Sequence, residues 1–522
     1  MNRSAPRASR FLLLVLAFAA SLAGIARAAG GDDETIQNFK RYYGSYKDTP
    51  SRVEAILTLE NHEDVAVVEV LVPKLKETEG EIVRAAVRVL SGFKTRPPID
   101  ALLAILKADK NETVRTGILR AIAEGKYKEL GPSVQACLLD KSWDVRRRAL
   151  QALVASGEVD PLTMVVPLCA DPEPGVRCTA LDALTALGSE HVVPPAIAAL
   201  QDDVWQVRKS AIAGLTKVRS AQSVQPLLLR LDKEEGLLVP DIAEALASLT
   251  GKEFGSAVDK WKAWWAEVGA TFTLPTPEAI AYLRQKRSAS TGGPPREYLK
   301  SGVVEYHGID TPSRSIIFVI DCSGSMEALV TEKERFEGGH YPSFMRIDIV
   351  KTELQRTIDH LEPFVNFNVL AFATDVDPWK KDLVPANILN KSAAKDWVGR
   401  LQAIGGASKE DLAAVGLGGS ASLDKGKTNT YGALMAALDV KPGGARTGDK
   451  NYVVDVDTIF FLSDGRPTVG QFVDPDDILR ELAAANELRK VVIHTIAIGE
   501  FQKDFMRKIA ERNGGVFVDL GK

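Results

Sequence analysis

The chain has 522 residues, of which 45% are hydrophobic and 26% charged, a composition typical of a globular protein with about two to four domains. Its formal net charge of -4 disfavours binding to nucleic-acid phosphates, which depends on clustered Lys and Arg. The four cysteines are too few for a disulfide scaffold and are expected to be small buried residues, with a Cys169–Cys178 bridge as the alternative.

Residues 1–28 have the pattern of a cleavable secretory signal peptide. Three arginines precede an apolar run at residues 11–23, and the small-residue site Ala26-Arg27-Ala28 follows. The run has 13 residues, short of the roughly 20 that a membrane-spanning helix needs, so an uncleaved anchor is the less favoured alternative. No later stretch predicts a membrane span. We therefore expect an exported protein, in the periplasm, on the cell surface or secreted, whose charge becomes -8 once the segment and its four arginines are removed.

A repeat with a period of 31 residues follows a lead segment at residues 29–50. The dipeptide Val-Arg recurs at this period, and its valine serves as the marker of each unit. Alanines lie four residues after three of these marker valines and leucines eight residues after them, which defines one apolar face of a helix. Prolines fall near the start of a second helix in each unit, where a missing amide costs little. Each unit is thus a pair of short helices that buries its apolar face by stacking on its neighbours. The marker Val-Arg pairs are Val83-Arg84, Val114-Arg115, Val145-Arg146, Val176-Arg177 and Val207-Arg208.

Aspartates keep the same period, five residues before four of the valines. In a turn, such a side chain can accept hydrogen bonds from the free amides of the next helix. We interpret the recurrent arginines and aspartates as a structural ladder between adjacent units rather than a ligand site. The pattern resembles the HEAT repeat family, in its short variety associated with phycobilisome lyases. This resemblance covers about residues 51–249 and implies a curved α-solenoid that acts as a scaffold or a protein-docking surface. With its Trp-rich cap, the solenoid is predicted to span residues 51–269.

The solenoid is predicted to end in an aromatic cap and a connector. Trp261, Trp264 and Trp265 lie at helical spacing and are expected to cover an open apolar end rather than form a ligand site. Periodicity fails in the linker at residues 270–312, which contains the Gly- and Pro-rich sequence "SASTGGPPREYLKSG" after one helical segment, "PTPEAIAYLRQKR". Relative motion of the two halves is the default expectation for such a joint.

The last part of the chain, residues 313–522, alternates apolar runs with helical patterns. Continuous apolar runs are typical of strands that are covered on both faces. The predicted fold class of this domain is therefore α/β, with a doubly wound, mostly parallel sheet. The predicted strands are "SIIFVID", "FNVLAFA", "TIFFLSD", "VVIHTIAIG" and "VFVDL", and helices are expected near residues 347–361, 393–401, 431–438, 476–490 and 503–514.

Polar side chains end two of these strands. Asp321 ends the first strand, Asp464 ends "TIFFLSD", and Ser323 and Ser325 alternate in the turn after Asp321. Ligands of open α/β sheets lie beyond the carboxyl ends of the strands. Hydroxyl and carboxylate oxygens, without histidine or thiol, favour a hard cation, Mg2+ before Ca2+ or Mn2+. Few ligating charges would leave the ion electron-poor, so that a carboxylate from outside could complete its coordination.

The sequence "DCSGS", a threonine in "KTNTYGAL" and the aspartate of "LSDGRP" together resemble the von Willebrand factor type A domain and its metal-ion-dependent adhesion site. In many members of this family the threonine directly follows two glycines, whereas here about 20 residues separate Gly405-Gly406 from Thr428. Asp411 or Ser420 could therefore take the place of the threonine. The ligands that the resemblance implies, some of them through water, are Asp321, Ser323, Ser325, Thr428 and Asp464.

The favoured function is an exported, non-catalytic binding or scaffold protein. Its C-terminal domain would capture an acidic group on a protein partner through the metal, while the solenoid docks a protein surface. In the second hypothesis the metal only steadies the loops and the repeats bind the partner. A metal-assisted hydrolase is the third: phosphatases of the haloacid-dehalogenase type need an aspartate where Ser323 stands, although a Ser323–His340 pair formed in space stays open. The oligomeric state is unknown.

Overall fold

The computed structural model describes residues 32–291, 303–404, 426–439, 452–499 and 503–521. The predicted signal peptide lies outside these ranges, as do Asp411 and Ser420. The described residues form two compact units: one runs to Cys137 and includes Ala155–Glu158, and the other comprises Leu138–Val154 and the residues from Val159 onward. None of the helices in the described ranges combines the length and the apolar character that a bilayer span requires.

The first unit is built of short helices whose starts are fixed by capping side chains. Asp48, Asp64 and Asn111 each accept a hydrogen bond from a backbone amide two or three residues later, which satisfies a donor that the helix leaves free. Ile56 and Val87, which are one repeat period of 31 residues apart, are both fully buried. The helices are α1 (Asp32–Tyr42), α2 (Thr49–Leu57), α3 (Val65–Leu71), α4 (Gly80–Leu90), α5 (Arg96–Ala108), α6 (Glu112–Gly125) and α7 (Gly131–Gln135).

The second unit opens with further repeats. Val145, Val176 and Val207, the marker valines, are fully buried in the first turns of three of its helices. One repeat has segments of π-helix and 3₁₀-helix, Pro161–Val165 and Val166–Ala170, in place of its second α-helix. The helices are α8 (Trp143–Ser156), α9 (Pro174–Ala186), α10 (Val193–Ala199), α11 (Trp205–Lys217), α12 (Val224–Leu231), α13 (Leu238–Thr250), α14 (Val258–Val268) and α15 (Pro277–Thr291).

The recurrent arginines and aspartates form a ladder between consecutive repeats of this unit. Arg146 donates two hydrogen bonds to Asp171, at 2.7 and 2.6 Å, and Arg177 donates two to Asp202, at 2.8 and 2.9 Å. Each arginine also donates, at 2.8 Å, to the backbone oxygen of the aspartate in its own repeat. Paired guanidinium and carboxylate groups of this geometry fix both distance and orientation. The structural ladder is confirmed for the pairs Arg146–Asp171 and Arg177–Asp202.

All four cysteines are free and buried, so the alternative of a bridge between Cys169 and Cys178 is wrong. Cys178 lies on α9 and Cys169 in the preceding 3₁₀ segment. Burial raises the pKa of both thiols to about 12, as expected for cysteines that pack as small apolar residues.

Helix α14 packs Trp261 and Trp264 into an aromatic cluster with Phe254. Trp261 is fully buried, and its indole Nε1 donates to the Gly255 backbone oxygen at 2.8 Å. Its ring lies 4.9 Å from that of Phe254 and 5.9 Å from that of Trp264, measured between centroids. Edge-to-face packing of this kind stabilises a cluster beyond the area that it buries.

The remainder of the second unit is a twisted sheet with the strand order β5-β4-β3-β7-β8-β9. β3 runs parallel to β4 and β7, and β7, β8 and β9 are parallel to one another, whereas β5 and β6 pair antiparallel with β4. The predicted α/β class is confirmed. The strands are β1 (Val304–Tyr306), β2 (Ile309–Thr311), β3 (Ser315–Asp321), β4 (Asn366–Phe372), β5 (Val376–Pro378), β6 (Val384–Pro385), β7 (Thr458–Ser463), β8 (Val492–Ala497) and β9 (Phe517–Asp519).

Helices cover both faces of the sheet because alternate residues of each strand point to opposite sides. On β3, Phe318 packs into one apolar core, which α16 and α17 complete, and Val319 packs into the other, with α18, α19 and α20. The helices are α16 (Arg346–His360), α17 (Ile388–Gly399), α18 (Thr430–Ala437), α19 (Pro475–Asn486) and α20 (Lys503–Arg512).

A short hairpin, β1 and β2, lies where the sequence pattern predicted only a connector. Val304 and Ile309 are buried in the first of the two cores. The Tyr306 ring packs edge-on against Phe318 and Phe460, with centroids 5.3 and 5.4 Å away. Three-residue strands are too short to show the alternation on which the prediction of strands depends.

Candidate metal centre

Two buried aspartates meet at the carboxyl edge of the central strands. β3 and β7 are parallel, with Ile320 paired to Leu462, so Asp321 at the end of one strand lies next to the end of the other. Asp464 follows β7 directly. The two residues are 0% and 1% exposed. As the sequence predicts, the sheet brings both carboxylates to the edge where ligands of such folds bind.

The two serines connect these carboxylates through hydrogen bonds. The Ser323 amide donates to Asp321 Oδ1 at 2.8 Å, and the Ser325 hydroxyl donates to Asp464 Oδ1 at 2.7 Å. The two serine Oγ atoms are 3.2 Å apart. Ser323 is buried and Ser325 is exposed, so the set reaches from the interior to the surface of the sheet edge.

Thr428 lies at the same edge, on a loop tied to its neighbours by backbone contacts. Its amide donates to Thr468 Oγ1 at 2.9 Å, and the Gly324 amide donates to the Gly426 oxygen at 3.1 Å. A carbon attached to the Cα of Gly465 would lie 3.2 Å from Thr428 Oγ1 and 3.5 Å from Ser325 Oγ. Both hydroxyls therefore face the small space that the glycine leaves open, and all five residues predicted as ligands lie at one edge.

Arg346, at the first position of α16, is a further residue at this edge that the sequence analysis missed. Its guanidinium Nη1 donates to Asp464 Oδ2 and lies 3.5 Å from the Ser325 backbone oxygen. The Arg346 side chain is 11% exposed and its partner carboxylate 0%. A carbon added at Gly499 would come within 3.2 Å of this guanidinium, so the glycine leaves room for the ion pair. The only signal in the sequence is an arginine at the start of an amphipathic helix.

Ser463 is a second residue that the analysis missed, although it directly precedes Asp464. Its hydroxyl donates to Asp321 Oδ2. Burial and, second, the charge of Asp464 raise the pKa of Asp321 to about 7, and the hydrogen bonds from Ser323 and Ser463 oppose that rise. Two buried carboxylates at one edge repel each other, and a bound cation would relieve that repulsion.

The donor set fits a hard divalent cation. It consists of carboxylate and hydroxyl oxygens, which suit Mg2+, Ca2+ or Mn2+ and not a softer metal. Within the described ranges no three His, Cys, Asp or Glu side chains form a metal-binding cluster, and the candidate set itself holds only two carboxylates. With both aspartates ionised and the charge of Arg346 included, the formal charge of the site is -1. A bound divalent cation would therefore leave the site with a net charge of +1.

The hydrolase hypothesis gains no support from the surroundings of Ser323. Its hydroxyl contacts Ser325, and the described part of the chain shows no hydrogen bond between it and His340. A nucleophilic serine needs a base within hydrogen-bonding reach. His340 lies instead in a left-handed conformation, with φ of 50°, beside a 3₁₀ turn.

The family model for the von Willebrand factor type A domain matches residues 340–415 and 419–519, and the model for HEAT repeats matches residues 99–173 and 162–247. The chain carries HEAT repeats followed by a von Willebrand factor type A domain. Asp321, Ser323 and Ser325 precede the matched residues of the type A domain.

Relatives of the type A domain occur in larger proteins. Inter-alpha-trypsin inhibitor heavy chain H4 of Homo sapiens is 28% identical over 210 residues, 40% of this chain and 18% of that protein. The same heavy chain of Bos taurus is 28% identical over 214 residues, again 40% and 18%. The match therefore spans about a fifth of the length of these relatives. A von Willebrand factor type A structure from Catenulispora acidiphila, 18% identical, covers 40% of this chain and 39% of its own, with a TM-score of 0.26.

Proposed function

We propose that this protein is an exported, non-catalytic binding and scaffold protein that captures an acidic group on a protein partner through a divalent cation at the type A domain. The observation that carries the proposal is the convergence of Asp321 and Asp464 with hydroxyls on one sheet edge. Asp321, Ser323, Ser325, Thr428 and Asp464 would hold the ion, Mg2+ in preference to Mn2+ or Ca2+, directly or through water.

The charge of the site supports capture of an acid. A divalent cation would change the formal charge of the two aspartates and Arg346 from -1 to +1. A bound cation would supply a Lewis-acid position for one oxygen of an incoming carboxylate. The exposed Ser325 gives that group access from solvent, while the aspartates stay buried. Attraction of a negative group to a positive site of low dielectric is strong and specific.

The repeats are proposed as the second binding element, because stacked helix pairs present extended surfaces to proteins. In this division of the chain the solenoid extends over residues 51–269, the linker over 270–312 and the type A domain over 313–522. Export after cleavage of residues 1–28 would bring both domains to an extracellular or envelope partner.

The proposal is tested by capture from the native extracellular or envelope fraction. Full-length protein on beads is incubated with roughly 5 mM Mg2+, enough to saturate a weak oxygen site, or with EDTA. Bound proteins are identified by mass spectrometry. We expect partners that require Mg2+ and that are lost with Asp321→Asn, which removes one charge and keeps the size of the side chain.

Asp377→Asn is the matched control, because Asp377 is exposed on β5 near the same edge and belongs to no predicted ligand set. Capture that survives EDTA and Asp321→Asn would refute the metal-dependent proposal and favour binding by the repeats. Turnover of a simple ester or phosphate ester that disappears in Asp321→Asn would instead support the hydrolase hypothesis.

A further inference from the structure

We propose that the repeats of the second unit hold the type A domain in a fixed, docked position. One face of α8, α9 and α11, which recurs with the repeat, binds the type A domain of the same chain. The contacts lie at the other edge of the sheet and do not depend on metal binding. A docked domain replaces the relative motion that the linker sequence favours.

The docking face follows the 31-residue period. Positions two before, two after and six after the marker valine lie on one side of a helix, because they are about a turn apart. In α8, α9 and α11 these positions carry side chains that reach residues of the type A domain. The contacting set is Trp143, Arg147, Gln151, Asp182, Trp205 and Lys209.

Charged side chains connect α8, α9 and α11 to the residues that follow α19. Arg147, 6% exposed, donates to Glu487 Oε2 at 3.0 Å, and Gln151 donates to the other oxygen of that carboxylate. Lys490 donates to Asp182 Oδ2 at 2.8 Å, and its backbone oxygen accepts from Lys209 at 3.1 Å.

The charged side chain of Arg147 is buried in this interface, and a buried charge without a partner costs free energy. Arg147 also pairs with Asp144, at 2.7 Å, so both members of that pair are almost fully buried. Burial lowers the pKa of Arg147, but the charges of Glu487 and Asp144 outweigh it and raise that pKa above its ordinary value. Within the docked interface, removing Glu487 would leave the buried charge of Arg147 with one partner fewer, which is destabilising.

An aromatic anchor fixes the same interface at a second place. The Tyr452 hydroxyl accepts from the Gly175 amide at 2.9 Å and donates to Glu173. Its ring lies 5.2 Å from the Trp143 ring. A side-chain carbon at Gly175 would lie 3.0 Å from the tyrosine ring and 3.1 Å from Trp143, so the first turn of α9 approaches the tyrosine as closely as a glycine permits. Central aromatic anchors of this kind carry much of the energy of an interface.

The docked edge is the one opposite the candidate metal centre. Tyr452 and Val454, whose backbone oxygen accepts from Trp205 Nε1 at 3.2 Å, precede β7, and Lys490 precedes β8. The repeats therefore contact the amino ends of the central strands, whereas Asp321 and Asp464 follow the carboxyl ends. In this docked position the described residues of the repeats do not cover the sheet edge that carries the candidate metal centre.

The test uses the full chain with a protease site inserted between residues 292 and 302. The folded protein is cut and analysed by gel filtration at micromolar concentration. We expect the two fragments to elute together. Tyr452→Ala combined with Glu487→Ala, which alters only the type A side, should separate them. Gly175→Val, which alters only the repeat side, should do the same, since a side chain there meets Tyr452 and Trp143.

Arg480→Ala is the matched control, because Arg480 lies on α19 in an exposed pair with Asp477. Far-ultraviolet circular dichroism of each uncut variant shows that its helices and sheet are retained. Fragments of the unaltered sequence that separate after cleavage would overturn the proposal. So would fragments of both interface variants that stay together as firmly as those of Arg480→Ala.

Discussion

Arg346 donates a hydrogen bond to Asp464 within the candidate metal centre, so the chain supplies its own positive charge to a pair of buried carboxylates. Two buried acids of one sign repel each other, and a fixed guanidinium partly offsets that repulsion. The same charge lowers the attraction of the site for a cation. Arg346 is therefore expected to tune metal affinity as well as stability.

Replacing Arg346 by Gln should separate these two effects. Without metal, loss of one member of a buried ion pair should destabilise the type A domain by about 3–5 kcal/mol. With the positive charge gone, the dissociation constant for Mg2+ should fall about tenfold, since roughly 1.4 kcal/mol of Coulomb energy suffices for that change. Thermal unfolding in EDTA and in Mg2+ measures both, and the rise in Tm on adding Mg2+ should be larger in Arg346→Gln than in the wild type.

Arg356→Gln serves as the control for that experiment, because Arg356 lies on the same helix and is 42% exposed in its pair with Glu353. It should leave the Mg2+-induced shift unchanged. An equal or smaller shift in Arg346→Gln than in the wild type would show that the guanidinium does not compete with the ion.

Gly465→Ala should narrow the metal space without disturbing the fold. The added methyl would lie 3.2 Å from Thr428 Oγ1, tight enough to displace that hydroxyl by a few tenths of an ångström, and would be in ordinary contact, at 3.5 Å, with Ser325 Oγ. We expect metal affinity to fall at least about fivefold, roughly 1 kcal/mol, with Tm in EDTA nearly unchanged. Isothermal titration with Mn2+ measures the affinity. An unchanged dissociation constant would mean that these hydroxyls do not line the site.

The ladder of the repeats predicts that replacing Arg177 lowers the free energy of unfolding more than replacing Arg480 does. Arg177→Met removes a bidentate pair with Asp202 whose side chains are 18% and 12% exposed, and should cost about 2 kcal/mol. Arg480→Met removes a pair that is 61% and 46% exposed, and should cost under about 1 kcal/mol. Urea unfolding followed by circular dichroism compares them. Equal losses would contradict the structural role of the ladder.

The contact of Glu487 with Arg147 predicts a dependence on pH. Partial burial raises the pKa of Glu487, but the charges of Arg147 and Arg148 outweigh it and leave the pKa below its ordinary value. Such a group adds stability above the pKa of the unfolded chain, about 4.3, and that stability is lost as the pH falls through the folded pKa. The wild type should therefore exceed Glu487→Gln in Tm at pH 7, and the difference should shrink as the pH falls below about 4.3. A difference that stays constant over this range would contradict the ion pair.

The sequence predicted the central sheet and its two aspartates because the strands are buried on both faces and read as unbroken apolar runs. Apolar runs end at Asp321 and Asp464, and the carboxyl ends of parallel strands lie at the same edge of a sheet. Both residues could therefore be assigned to that edge. β5 and β6 escaped prediction because they are edge strands of two or three residues. Helix α17 begins at Ile388, five residues before the predicted start, because Asn387 caps it and accepts from the Asn390 amide at 2.9 Å.

Arg346 and the docking face escaped prediction for another reason. A charged residue on a helix is ordinarily assigned to solvent, and only the fold reveals that Arg346 faces a buried acid. The docking positions recur with the repeat, but they carry Trp, Arg, Lys, Gln and Asp, so no shared chemistry marks them. Comparing residues at equal phase across the repeats would have drawn attention to Trp143 and Trp205, which occupy the same position.

Direct titration of the full chain with Mg2+ and Mn2+, in the wild type and in Asp321→Asn, tests the central claim. Calorimetry should detect one saturable ion per wild-type chain and none in Asp321→Asn. The Tm of the variant in EDTA should equal or exceed that of the wild type, because a neutral amide no longer repels Asp464. No saturable binding by the wild type, or equal binding by Asp321→Asn, would contradict a metal centre at this edge of the sheet.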